Sequence, residues 1–412
     1  MSEINEYELD NNRINNTSPN FSNFLEGAYN NKKRPKCLCN SNKAEMYVAL
    51  IQGAYVIKRM PGTGHQHDLR CSTYDPPLEL SGLGHLQGSA ISAHDTGVLL
   101  KLGFPMSARK AKAPEPVSSE KENENTSEEA ETKKKNLPDT IKVAERKLTQ
   151  LAMLHYLWDA AELTKHRPAW VGKRDWYIVQ RELVAAISQS SIKAKPLSSV
   201  LFVPPPFRTD RKAIIEAERL KFMNGLMAGK GNAASLGLVI GIYKKIEDAI
   251  INRKLVLKHL PNFPLYLDEK SDISFLKRFS NDIQMAESAE GYFIVISTFE
   301  PKGNYGMVRE ITGMAVNSQW IPFDDFRELT VLESLMDRSF VKCLRYNLSK
   351  GTPIANFLIT DTENPTPLYC PDMASTDDDA DTFFEQVNSG TYEPVIWWAD
   401  DATGPELPQA RR

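Results

Sequence analysis

Cys37-Leu-Cys39, the run Glu45-Met-Tyr-Val-Ala-Leu-Ile-Gln-Gly-Ala-Tyr-Val-Ile-Lys-Arg-Met60 and then His65-Gln-His67-Asp-Leu-Arg-Cys71 form the stretch on which the reading of this chain turns. Two thiols one residue apart, followed by a histidine and a third thiol four positions apart, supply four soft donors that could close a tetrahedron on zinc. The run between them places β-branched and aromatic residues on both sides of Gln52-Gly53, the pattern of a small hairpin. Such a hairpin returns the chain to its start and brings His67 and Cys71 beside Cys37 and Cys39. Alone it would be marginal in water, and structural zinc can supply the missing stability. His67 has the His-x-x-x-Cys spacing and is the expected ligand, with His65 in reserve. With four protein donors there is no open position for a water, so the site is expected to be structural rather than catalytic. The plainer alternative is that these are ordinary reduced cysteines beside two loop histidines.

Working outward, the chain has 412 residues, 41% of them hydrophobic and a quarter charged, enough for two or three domains. A formal charge of −3 offers no global attraction to nucleic acid, so any such binding must come from a local patch. The polar, acidic start Met1-Ser-Glu-Ile-Asn-Glu is no signal segment, which argues against disulfides and for a cytoplasmic protein. No apolar stretch approaches bilayer length.

The organisation expected is α+β and multidomain. Residues 1–34, rich in Asn, Ser and Glu, read as a disordered tail, and 35–104 as the zinc-stapled β module. Residues 105–138, with Ser-Glu-Lys-Glu-Asn-Glu and Lys133-Lys-Lys135, read as a charged linker. Helical spacing from Ile141 to Leu163 and again from Arg174 to Gln189 makes 139–206 a helical, helix-turn-helix-like segment. Residues 207–320 alternate helix and strand as an α/β middle region, and 401–412 read as a tail. Gly225-Leu-Met-Ala-Gly-Lys-Gly231 lacks the Ser or Thr and the full glycine spacing of a phosphate-binding loop and is rejected as one.

Arg167, Lys173, Arg174 and Arg181 are interleaved with Trp170 and Trp176, a composition suited to phosphates and bases of DNA or RNA. The competing reading is a plain helical hairpin with its tryptophans in the core.

Residues 321–400 run helix, three strands, helix, strand. This αβββαβ order resembles the core of the restriction-endonuclease-like nucleases. The resemblance implies an acid on the first helix, matched by Glu328, an Asp on the second strand and an acid with a lysine on the third. This chain has Asn356 and Leu368-Tyr-Cys370 at the last two places, so the resemblance implies a domain without its chemistry. A nuclease with a displaced site would have to use Glu328, Asp361 and Asp324 or Asp325.

With the cysteine triplet, the Lys58-Arg-Met-Pro-Gly-Thr-Gly64 turn, the tryptophan-rich helix pair and Phe340-Val-Lys-Cys-Leu-Arg-Tyr346 in view, the chain resembles the bacterial domain-of-unknown-function 1173 family. The resemblance runs from about Pro35 to Trp398 and rests on Cys37, Cys39 and Cys71. It implies a bacterial cytoplasmic protein of mobile or conjugative elements and assigns no activity. The expectation is therefore a non-catalytic, zinc-binding, nucleic-acid-associated protein, with other mobile-element proteins as further partners and no membrane. The alternatives are a metal-dependent nuclease and a protein-interaction scaffold.

Overall fold

A computed structural model describes residues 5–51, 53–60, 62–94, 97–108, 146–193, 195–228, 234–249, 252–349, 351–371, 376–388, 392–399 and 404–411. The expected charged linker lies outside the described residues from residue 109 onward.

The chain begins with structure where a tail was expected. Strands Glu6–Leu9 and Asn12–Asn15 form a hairpin around Asp10 and Asn11, at φ 51° and 63°. That pair of left-handed residues is what a two-residue primed turn requires, and Asp and Asn tolerate it. Tyr7 and Ile14 stand opposite each other and are buried, and Lys36–Cys37 adds to the free edge with Cys37 opposite Tyr7. Helix α1, Phe21–Asn30, buries Leu25 and Ala28 against Val48 of the hairpin Met46–Ile51 and Ala54–Arg59. Low aliphatic content misleads here, because aromatic rings carry the packing: Tyr7, Phe21 and Phe24 stack in series at 5.7 and 6.3 Å.

Helix α2, Gln150–Ala160, is buried from Ala152 through Trp158 on every side, so it is a central rod rather than a surface helix. Helix α3 is Trp176–Ser188. Residues 161–175 separate them and contain the strand Lys165–His166, which pairs with Phe340–Lys342 far along the chain. A helix-turn-helix needs a tight turn of three or four residues, so that expectation is overturned. Strand Ser190–Ile192 runs parallel to Gly97–Leu100, and Leu201–Phe202 runs parallel to Gly237–Asp248, with α4, Lys212–Met227, following. Boundaries drawn at 139 and 206 would therefore cut through sheets. One core cluster runs from Leu86 to Leu368.

The middle region closes into a five-stranded barrel. Gly237–Asp248 pairs antiparallel with Arg253–Leu257, which pairs antiparallel with Leu265–Leu267. Leu265–Leu267 lies parallel to Tyr305–Val316, which pairs antiparallel with Tyr292–Lys302, and that strand returns antiparallel to Gly237–Asp248. Helix α5, Glu269–Ser288, lies between the third and fourth strands in sequence and packs Phe275 and Phe279 on Phe293.

After the barrel come α6, Phe326–Ser334, an antiparallel meander of Phe340–Lys342, Phe357–Ile359 and Thr366–Tyr369, helix α7, Asp377–Val387, and Val395–Ile396 parallel to the third meander strand. The αβββαβ order is the one expected. Residues 404–411 are not a free tail: Arg411 donates its main-chain N–H to Asp361 O at 2.7 Å and its side chain to Glu363 O at 2.6 Å. Among the described residues no helix is long and apolar enough to cross a membrane.

Candidate metal centre

The ladder pairing of Lys36–Cys37 with Tyr7 and Glu8 fixes Cys37, and Cys39 follows at the turn. The hairpin brings the chain back, and after Arg59 it reverses through Gly62 at φ 75° and Gly64. Gly64 passes so close to Asp75 that a Cβ there would lie 2.4 Å from the Asp75 Cβ, so a side chain would force the two segments apart. The short turn Gly64–Gln66 then delivers His67 inward. His65 stays exposed on the other side, which decides between the two histidines.

Cys37, Cys39, His67 and Cys71 offer donor atoms all within 4.8 Å of one another. Cys37 Sγ lies 3.9 Å from Cys71 Sγ, and His67 Nδ1 lies 3.5 Å from Cys39 Sγ and 3.8 Å from Cys71 Sγ. A tetrahedron with about 2.3 Å to sulfur and about 2.0 Å to nitrogen has edges of about 3.8 Å between sulfurs and about 3.5 Å from sulfur to nitrogen. These three separations are close to such edges and all four donor atoms lie within 4.8 Å of one another, so the cluster could hold a metal ion. The Asp68 N–H donates to Cys39 Sγ at 3.3 Å, and Thr73 Oγ1 lies 3.0 Å from both Cys71 Sγ and His67 Nδ1. Hydrogen bonding with Cys37 pulls the Cys71 thiol down to about 3, helped by His67 and Thr73, while the same contact and burial push Cys37 up. Three crowded thiolates repel one another unless a cation sits among them.

Sequence reasoning missed what anchors this centre. Lys165 Nζ donates to the carbonyl of Ser72, next to Cys71, at 3.1 Å and pairs with Asp75 at 3.0 Å. Arg59 pairs with Asp75 and reaches Glu162 at 3.5 Å. Burial pushes the Glu162 carboxyl up, but Lys165, Lys58, Arg59 and Arg174 outweigh it and hold the group at about 2. Tyr74, three residues past Cys71, sits in a cluster with Cys343, Leu358 and Tyr369. No spacing rule could reveal these partners, since Lys165 lies some 90 residues beyond its contacts at Ser72 and Asp75. A cavity of about 30 Å³, lined by Arg59, Asp75, Asp159, Lys342 and Cys343 among others, has room for about one water.

The expected nucleic-acid edge is dispersed. Arg174 donates to four carbonyls, those of Glu162, Leu163, Lys165 and Gln319, and is a structural clamp. Trp176 is 5% exposed, stacks on His259 at 5.7 Å and donates to Pro204 O. Arg167 and Arg174 both lie over Trp170, at 5.5 and 5.3 Å, Arg181 pairs with Glu182, and Lys173 is exposed. The core-tryptophan alternative describes Trp176.

The acids of the displaced nuclease site are also occupied. Asp361 is chelated by Arg338 and Asp325 caps α6. Asp324 faces Arg345 at 3.6 Å. Glu328, 2% exposed, is bound by the Lys342 ammonium at 2.9 Å, the Asn356 amide at 2.7 Å and the Asp324 N–H at 2.7 Å. Burial pulls the Lys342 pKa down, but Glu328 and Asp324 outweigh it and the net shift is upward.

The family described as "Protein of unknown function (DUF1173)" matches residues 7–400, and so includes the first hairpin, which the expected start at about Pro35 left out. No curated protein and no solved structure matches the chain.

Proposed function

This chain belongs to the DUF1173 family, and from the geometry of its four donors we propose that it is a non-catalytic protein whose amino-terminal module is held by one structural zinc ion. The observation that carries the reading is the match of three separations, Cys37–Cys71, Cys39–His67 and His67–Cys71, to the edges of a zinc tetrahedron, within a cluster whose four donor atoms all lie within 4.8 Å of one another. Three thiolates and an imidazole favour zinc over the hard cations, which take oxygen. All four positions are filled by protein, so the ion has no site for substrate or water. Elemental analysis of the purified chain should find one zinc per chain, and Cys37→Ser should lose it. A clean preparation that carries no metal and takes up none would end the reading.

A second reading concerns the carboxy-terminal sheet as an inactive, restriction-endonuclease-like core. It is supported by the αβββαβ order and by contact among the three relevant positions: Asn356 donates to Glu328 and accepts from the Cys370 N–H at 2.8 Å. The Lys342 ammonium already neutralises the one carboxylate present, whereas a catalytic magnesium needs clustered hard oxygens.

A further inference from the structure

The barrel strands, taken in sequence as first to fifth, close in the order 1-2-3-5-4-1, with the third and fifth parallel, every other pair antiparallel, and α5 between the third and fourth. That is the topology of the OB-fold, whose second and third strands form an outer face that binds oligonucleotides or oligosaccharides. Fold alone assigns no ligand, so the residues of that face must decide.

One cross-strand row runs around the outside in register: Glu247, Lys254, Tyr266, Met307 and Glu300, one from each strand. Leu255, Leu265 and Leu267 alternate with it and are buried. At the centre of the row the Tyr266 ring meets the Tyr305 ring edge to face at 5.5 Å, and Tyr305 is 39% exposed at the start of its strand. Each acid at the ends of the row is held by two cations. Glu247 pairs with Lys245 at 2.6 Å and Lys254 at 2.9 Å, and Glu300 pairs with Lys302 and Arg309. Each of these acids is therefore outnumbered two to one by the cations that pair with it, on either side of an aromatic pair in which Tyr305 is exposed and Tyr266 half-buried.

We propose that this face of the barrel binds single-stranded nucleic acid, with bases stacking on Tyr266 and Tyr305 and the backbone running between the two cationic clusters. A strand with unpaired bases fits because stacking needs a free ring face and the flanking charges suit phosphates. A duplex hides its ring faces, and an uncharged glycan leaves the excess charge without a partner. The proposal is independent of the metal reading.

The test is fluorescence anisotropy of the full chain with labelled oligo-dT, oligo-rU and a duplex of equal length, at low and raised salt. Binding to either single strand is expected, with the two arms telling deoxyribose from ribose. Tyr266→Ala and Tyr305→Ala should each weaken it by about 5- to 150-fold, the range that base stacking spans. Tyr266→Phe, which keeps the ring, should bind as the parent does. Lys254→Gln should lower the salt dependence by about one phosphate contact. No binding to either single strand at low salt would overturn the proposal. So would alanine variants that bind like the parent, or preference for duplex or for an uncharged oligosaccharide.

Discussion

Asp159 shows what a single buried charge does in this protein. It sits at the end of α2 with Thr164 donating to one oxygen at 3.2 Å and Tyr346 to the other at 3.0 Å. Burial and the neighbouring Asp75 charge push its carboxyl up to about 6, against the pull of Arg59 and of those hydrogen bonds. A carboxyl whose pKa is raised on folding stabilises the native state while protonated. That contribution is present below the unfolded value near 4 and is lost as pH rises through about 6. At neutral pH the ionised group is therefore a cost. Asp159→Asn keeps an acceptor and lets the other hydroxyl accept from its amide, so it should stabilise the protein at pH 7.5 by about 1–3 kcal/mol. The advantage should vanish towards pH 4. Urea unfolding of both proteins across this range checks it through their difference, in which any metal loss common to both cancels. A variant less stable than its parent at pH 7.5 would mean that the attraction of the nearby Arg59 charge outweighs the burial.

At the scale of elements, the first hairpin and α1 are the floor of the metal centre. Tyr7 lies opposite Cys37 in the ladder, and Tyr7, Ile14, Cys37, Met46 and Cys71 form one buried cluster. A chain starting at residue 35 keeps all four donors but opens one side of that cluster to water. It should hold zinc at least tenfold more weakly than the full chain in competition with a chromophoric chelator, since more than ~1.4 kcal/mol of apolar burial is lost. Equal affinity would show that the hairpin of residues 46–59 suffices. The same elements explain which parts of the fold could be read in advance. The clustering of Cys37, Cys39, His67 and Cys71 was legible because their spacing is local and a hairpin returns the chain over a short distance. The αβββαβ order was legible because each element carries its own period. The barrel was not: Leu265–Leu267 is three residues long, and its parallel partner Tyr305–Val316 lies beyond a whole helix. Arg174 and Trp176 look like an exposed edge in sequence, yet Trp176 is engaged from Pro204 and His259, and Arg174 is held by one carbonyl from Gln319 as well as by three from residues 162–165.

Across the whole molecule, the metal centre is stitched to the carboxy-terminal sheet instead of hanging from it. Residues 72–80 leave the ligand Cys71 and enter that sheet's packing at Tyr74 and Leu80, and Gly82 donates its N–H to Leu344 O at 2.9 Å. A Cβ at Gly82 would lie 2.1 Å from Arg345 O, so this close approach needs a glycine. Lys165 completes the link: it sits on a strand of the same sheet while its ammonium holds Ser72 and Asp75. We expect that freeing Cys71 loosens the Lys165–His166 and Phe340–Lys342 ladder; if it does, reciprocity makes that ladder support metal affinity. With the proposed zinc bound, stripping it with a chelator should speed hydrogen exchange at residues 165–166 and 340–342 by about 5- to 150-fold, the usual span of coupling between linked sites. The barrel strands Gly237–Asp248 and Tyr292–Lys302 share no residue with the link and should keep their protection. Lys165→Met should weaken zinc binding although it leaves every ligand in place. If exchange rises in residues 5–75 alone, the module is an independent finger and the contacts of Lys165 carry no coupling.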